Sequence, residues 1–111
     1  MDEGAFQTLA DATLRQLMTR LDEALGAEAE VDLSAGILTV ELESGGKYIV
    51  NKQAPNRQIW VASPVSGGWH FEHAGGDGSP ARWAATKDGT TLAALLESEL
   101  AQATGVELAL G

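Results

Sequence analysis

Cysteine is absent from all 111 residues. That excludes disulfides, thiolate metal sites, cysteine-held iron–sulfur ligation and thiol nucleophiles. It is compatible with a reducing compartment. Positive charge is scarce: seven Lys and Arg stand against sixteen Asp and Glu, for a formal charge of −9. Such a field repels nucleic acid and anionic membrane, both of which reward cations. It attracts cations and basic protein surfaces. No apolar run approaches the ~20 residues of a membrane span. The acidic start Met1-Asp2-Glu3 lacks the basic opening of a signal or transit peptide. The expectation is a protein that stays where it is made, or a mature form. Internal repeats, phosphate-cradling Gly loops, a dinucleotide fingerprint and a Ser/His/Asp spacing are all missing. The sequence therefore predicts a protein without catalytic chemistry of its own.

What is present suffices for one core. Hydrophobic residues make up 44% of the chain, close to the globular average, and the length is that of a single domain over 1–111. Residues 4–25 carry Phe6, Leu9, Ala10, Thr13, Leu17, Leu21, Ala24 and Leu25 at spacings of three and four, one apolar stripe of a helix. Asp11, Arg15, Met18 and Asp22 share its outer face, and Gly26 is a stop. Alternation follows. Ala29, Val31 and Leu33 alternate with Glu28, Glu30 and Asp32; Leu38, Val40 and Leu42 alternate with Thr39, Glu41 and Glu43. That is a hairpin with one apolar and one acidic face.

Further strands are expected over 47–53, 58–63 and 69–72, with a sixth over 82–85. Pro64 ends the fourth, because it has no N–H for a ladder. The Gly-rich stretch 74–80 reads as a mobile loop. Leu92, Leu95, Leu96, Leu100 and Ala103 stripe a second helix that closes at Gly105. Val106, Leu108 and Leu110 alternate in a tail expected to be extended and packed. The expected fold is α+β: a two-layer α-β sandwich. Its antiparallel sheet of five or six strands has the N- and C-terminal helices packed on one face. The sheet's other face is left to water.

Two surface features stand out. Ile59 and Val61 belong to the core, so Gln58, Trp60 and Ala62 face solvent with Asn51 and Gln53, and Arg57 lies at the turn. An exposed Trp ringed by amides and an Arg has the composition of a binding hot spot; the plain alternative is a sheet residue held by its neighbours. The second feature is charge. Residues 1–46 hold ten acids against Arg15 and Arg20, so nearly all the excess lies there. Asp22 and Glu23 fall at the negative end of the first helix, and Glu28, Glu30 and Asp32 follow on the polar side of the first strand. All-carboxylate ligands suit hard cations such as Mg²⁺, Ca²⁺, Mn²⁺ and iron. With no Asp-x-Asp-x-Asp-Gly loop and no rigid cage, the sites would be weak, multiple and unselective. The plain alternative is a solvated face that aids solubility. His70 and His73 are three apart on a strand, face opposite sides and cannot chelate together.

The run Asn51-Lys52-Gln53-Ala54-Pro55-Asn56-Arg57-Gln58-Ile59-Trp60-Val61-Ala62-Ser63-Pro64-Val65-Ser66-Gly67 resembles the signature segment of the frataxin family. Phe6-x-x-Leu9-Ala10-Asp11 with Leu21-Asp22 resembles its first helix, Gly36 to Val40 its hairpin, and Leu92 to Leu100 its closing helix. The likeness covers nearly the whole chain and is nearest to the bacterial, CyaY-type branch. It implies a cytoplasmic accessory and regulator of iron–sulfur cluster assembly that binds iron at Asp11, Asp22, Glu23, Glu28, Glu30 and Asp32. It implies docking on the cysteine desulfurase (IscS type) and its scaffold protein through Asn51, Gln53, Arg57, Gln58 and Trp60. It also implies a monomer, with iron-dependent oligomers. The alternative is an acidic protein-binding module with no iron role. A weak ferroxidase would need a preorganised site.

Overall fold

The computed structural model describes all 111 residues. Helix α1 (Glu3–Leu25) starts where the Asp2 carboxylate accepts from the Ala5 N–H at 2.7 Å, and stops at Gly26. Its buried stripe is the expected one with three changes: Leu14 joins it, Leu9 is only half-buried and Ala24 is left in water. Met18, expected on the outer face, packs partly against the core.

Six strands follow: β1 (Ala29–Ser34), β2 (Ile37–Leu42), β3 (Lys47–Gln53), β4 (Gln58–Ser63), β5 (Gly67–His73) and β6 (Trp83–Ala85). They pair antiparallel in chain order. Helix α2 (Leu92–Thr104) is capped by the Thr91 hydroxyl, which accepts from the Ala94 N–H at 3.1 Å, and ends at Gly105 in the left-handed region. One continuous core joins the inward faces of both helices to one face of the sheet. Leu38, Val40, Val50, Ile59, Val61 and Phe71 are the inward row, as period-two alternation requires. The tail is extended and packed: Leu110 is buried, its N–H donates to Glu97 Oε2 at 2.7 Å, and Arg20 Nη1 donates to the Ala109 carbonyl at 3.2 Å.

The Gly-rich stretch is not a free loop. Gly78 and Pro80 are buried. The Thr13 hydroxyl, wholly buried on α1, shares its proton between the carbonyl oxygens of Leu9 and Gly78 and accepts from Trp83 Nε1 at 2.8 Å. A Cβ at position 78 would come within 3.1 Å of the Leu9 carbonyl. Glycine composition suggested mobility; here glycine permits the close approach of backbone to helix. His73 lies edge-on to Trp83, and its Nε2 is 2.8 Å from the Asp77 carbonyl.

Thr13→Val keeps the shape and removes the hydroxyl. It leaves the Trp83 N–H and the Gly78 carbonyl without partners, so stability should fall by about 1–3 kcal/mol. Urea unfolding of the variant against the parent checks this; an unchanged midpoint would mean that water reaches these groups.

Candidate functional site: the open sheet face and its acidic margin

The register sets the open face. Asn51 stands opposite Trp60, and Trp60 opposite His70; Gln53, Gln58 and Glu72 form the next row. Trp60 is partly buried, less free than a bare surface ring. His70 stacks on it, with ring centroids 4.2 Å apart and planes 12° from parallel. The indole N–H donates to Gln58 Oε1 at 2.7 Å, and Gln58 Nε2 lies 3.4 Å from Glu72 Oε2. Ile49 and Ile37 stay exposed on the same face.

The corner after β3 is rigid. Ala54–Asn56 make a 3-10 turn, capped by Gln53 Oε1, which accepts from the Asn56 N–H at 3.0 Å. Arg57 takes the left-handed conformation with φ 53°, unfavourable by roughly 1–2 kcal/mol for a residue with a Cβ. Its guanidinium donates to the Ala54 carbonyl, and its own N–H reaches the same oxygen at 3.1 Å. The register therefore brings together Asn51, Gln53, Gln58 and Trp60, with Arg57 at the adjoining corner and its guanidinium turned to the Ala54 carbonyl. It also adds His70, which sequence reasoning weighed only as a metal ligand and set aside. The available signal was its alternation with Phe71, which sends it to the open side.

The acids divide differently. Asp11 keeps the same helical stripe as Asp22, but it is half-buried where Asp22 is exposed. It pairs with Lys52 Nζ at 2.7 Å, the one ion pair of the chain, and Gln7 Oε1 accepts from the same ammonium at 2.7 Å. Eleven residues of helix put Asp11 ~16 Å from Asp22 along the axis, too far to share an ion. Asp22, Glu23, Glu28, Glu30 and Asp32 are all exposed. Glu30 faces Glu41 directly across β1 and β2, a like-charge pair. No three His, Asp or Glu side chains converge on a point. The donors fit a hydrated hard cation held by one or two carboxylates, and do not fit a resident metal centre.

A fixed polar cluster closes one end of the sheet. Glu99 on α2 accepts from Tyr48 Oη at 2.8 Å, from Ser63 Oγ at 2.6 Å and from Ser66 Oγ. Trp69 Nε1 donates to Ser66 Oγ at 2.8 Å, and the Lys87 ammonium sits 3.6 Å over the Trp69 ring. Burial pushes the Tyr48 phenol up to about 12, helped by the hydrogen bond to Glu99 and its charge. For Glu99, burial works upward, but the donations from Ser63, Ser66 and Tyr48 outweigh it and hold the carboxyl below its usual range. Asp77 and Asp88 are held low by the N–H groups of Ser79 and Thr90, which their carboxylates cap.

The sequence matches the frataxin-like domain over residues 1–106. The chain belongs to the frataxin family. The iron–sulfur cluster assembly protein CyaY of Vibrio cholerae is 37% identical over 99 residues, covering 89% of this chain and 88% of that one. Trimeric frataxin from Saccharomyces cerevisiae, solved as a complex with ferrous, superposes with a TM-score of 0.71 at 37% identity. That match covers 87% of this chain and 86% of the yeast chain. Frataxin from Psychromonas ingrahamii, of the CyaY family, shares the fold across 100% of this chain and 99% of its own, with TM-score 0.84 and 24% identity. The α1–sheet–α2 order is thus the frataxin fold, and no helix is long and apolar enough to cross a membrane.

The Tyr48 pair gives an alkaline test. The unfolded phenol ionises near pH 10, and the folded one near 12. The contribution of Tyr48 is full below pH 10 and is lost as pH rises through 12. Tyr48→Phe should therefore flatten the fall in stability between those values, read by denaturant midpoints across the range. An equal fall in both proteins would place the loss elsewhere.

Proposed function

We propose that this single-domain frataxin is an accessory and regulator of iron–sulfur cluster assembly without catalytic chemistry of its own. It works in the bacterial cytoplasm. It docks on the cysteine desulfurase–scaffold complex through Asn51, Gln53, Arg57, Gln58 and Trp60. One observation carries the reading: an indole stands on the uncovered sheet face among amides, beside an Arg in a strained, overdetermined turn. The chain's relatives are named for cluster assembly. Backbone strain of this kind persists where the surroundings enforce it, and such places cluster at functional sites.

Iron enters as cargo. Asp22, Glu23, Glu28, Glu30 and Asp32 would hold it loosely, each ion keeping most of its water. Asp11 contributes little while Lys52 neutralises it. The protein is a monomer that associates when cations bridge acidic edges. A second reading, an acidic binding module with no iron role, draws on the absence of any three converging acids.

The two readings separate by experiment. Asp22→Asn with Glu23→Gln should weaken Fe²⁺ binding in calorimetry. It should leave stability equal or slightly raised, because α1 has no base in its last turn to offset those charges. Unchanged iron affinity in that variant favours the module without iron. Trp60→Ala tests the docking surface. A partly covered ring removed from the open face should cost about 1 kcal/mol of folding. A lost hot spot should weaken binding to the desulfurase–scaffold complex by roughly thirtyfold or more. Parent-like affinity would move the partner surface elsewhere.

A further inference from the structure

We propose that β5 holds Trp60 in the orientation in which it docks, with His70 as the positioning residue and Glu72 acting through Gln58. The inference rests on the reading of Trp60 as a docking residue. The register places Trp60 opposite His70 and Gln58 opposite Glu72. The exposed His70 ring lies flat against the indole at 4.2 Å. In the plane of the indole, its N–H donates to Gln58 Oε1 at 2.7 Å. Glu72 sets which way the Gln58 amide turns, because a carboxylate accepts only from the amide nitrogen, 3.4 Å away. A flipped amide would put oxygen against oxygen and nitrogen against the indole N–H. The stack and the hydrogen bond therefore fix the ring both in tilt and in rotation.

The consequence is for binding. A surface tryptophan that turns freely loses that freedom on docking; one already held does not. The indole N–H is also spent inside the protein. What Trp60 offers a partner is the ring surface that His70 leaves uncovered, so the contact it makes there is apolar or cation–π.

Two measurements on the same variants test this: the ¹⁵N–¹H heteronuclear NOE of the Trp60 indole, and affinity for the desulfurase–scaffold complex. His70→Ala should lower the NOE and weaken binding about fivefold, with only a small drop in the unfolding midpoint from the lost cross-strand pair. His70→Phe keeps a flat ring and should restore both, which a generally structural role would not predict. If His70→Phe binds as weakly as His70→Ala, His70 meets the partner through its nitrogens and positioning is overturned. It is also overturned if His70→Ala matches the parent in NOE and affinity while Trp60→Ala loses binding; the docking reading then stands alone. If Trp60→Ala binds like the parent, the docking reading falls, and the NOE by itself decides whether His70 fixes the ring.

Discussion

Both helices cover the same face of the sheet, and the rest of the molecule depends on that constraint. Side chains alternate along a strand, so a one-sided core assigns every second residue to apolar packing and leaves the others to water. On β4 the packed pair is Ile59 and Val61, both buried. Slipping that strand by one residue would expose them and drive Gln58, Trp60 and Ala62 inward. Losing two such side chains from the core costs roughly 1.5–3 kcal/mol each, against total stabilities of about 5–15 kcal/mol. The row Asn51–Trp60–His70 is therefore held outward by the residues behind it. The face offered to a partner is a by-product of how the core is phased.

The charge distribution works against this stability in a patterned way. Glu30 opposes Glu41 across the first hairpin. Asp22 and Glu23 sit at the negative end of α1, whose last turn holds no base. Each arrangement is unfavourable by some tenths of a kcal/mol to about 1 kcal/mol at low salt. Asp11 is the exception, and it shows what the others lack: Lys52 reaches it from β3, and a Cβ at Gly36 would meet the Lys52 side chain at 2.9 Å. Gly36 itself is set by its left-handed φ of 77°, and the lysine ties α1 to the sheet. The unpaired acids make the folded state sensitive to whatever cations surround it, because anything that binds or screens them there relieves repulsion.

Much of this was legible in the sequence. The strands, their short turns and both helices follow from period-two and period-3.6 spacing, and Pro64 and Gly105 end their elements as read. The outward phase of Trp60 follows from its neighbours alone. What escaped reading were contacts between residues far apart in the chain. Thr13 joins Gly78 and Trp83, Asp11 joins Lys52, and Glu99 joins Tyr48, Ser63 and Ser66. None of these has a local signature. Thr13 looks like any small residue on a helical stripe, and Asp11 like any outer acid, until the sheet brings a partner alongside. The stretch 74–80 failed for a related reason. Glycine marks both loose chain and tight approach, and only the helix beside it decides which. The family resemblance grouped Asp11 with the five later acids, but helix length separates Asp11 from Asp22, and Glu30 and Asp32 lie along the edge strand β1.

The polar fixings divide by face. On the helix side they are buried or half-buried, as with Thr13, Tyr48 and Glu97, and every buried side-chain polar atom there has a partner. In a low-dielectric interior an orphaned group is expensive, so each of these bonds is obligatory for the fold. On the open side the bonds are exposed or half-buried: Gln58 to Trp60, Gln58 to Glu72, Gln53 to Asn56. Water can replace any of them, so their loss alters where side chains point more than whether the chain folds. Arg57 breaks this division. It holds an unfavourable backbone conformation on the wet side, kept by its bonds to Ala54. Ala35 holds the same φ of 53° in the turn between β1 and β2, and a left-handed residue is the usual way for a helical turn to end. What the Ala54–Asn56 turn does for the open face is positional: Arg57 closes it, and β4 begins with Gln58 directly after, so the corner sets where the strand that carries Trp60 starts.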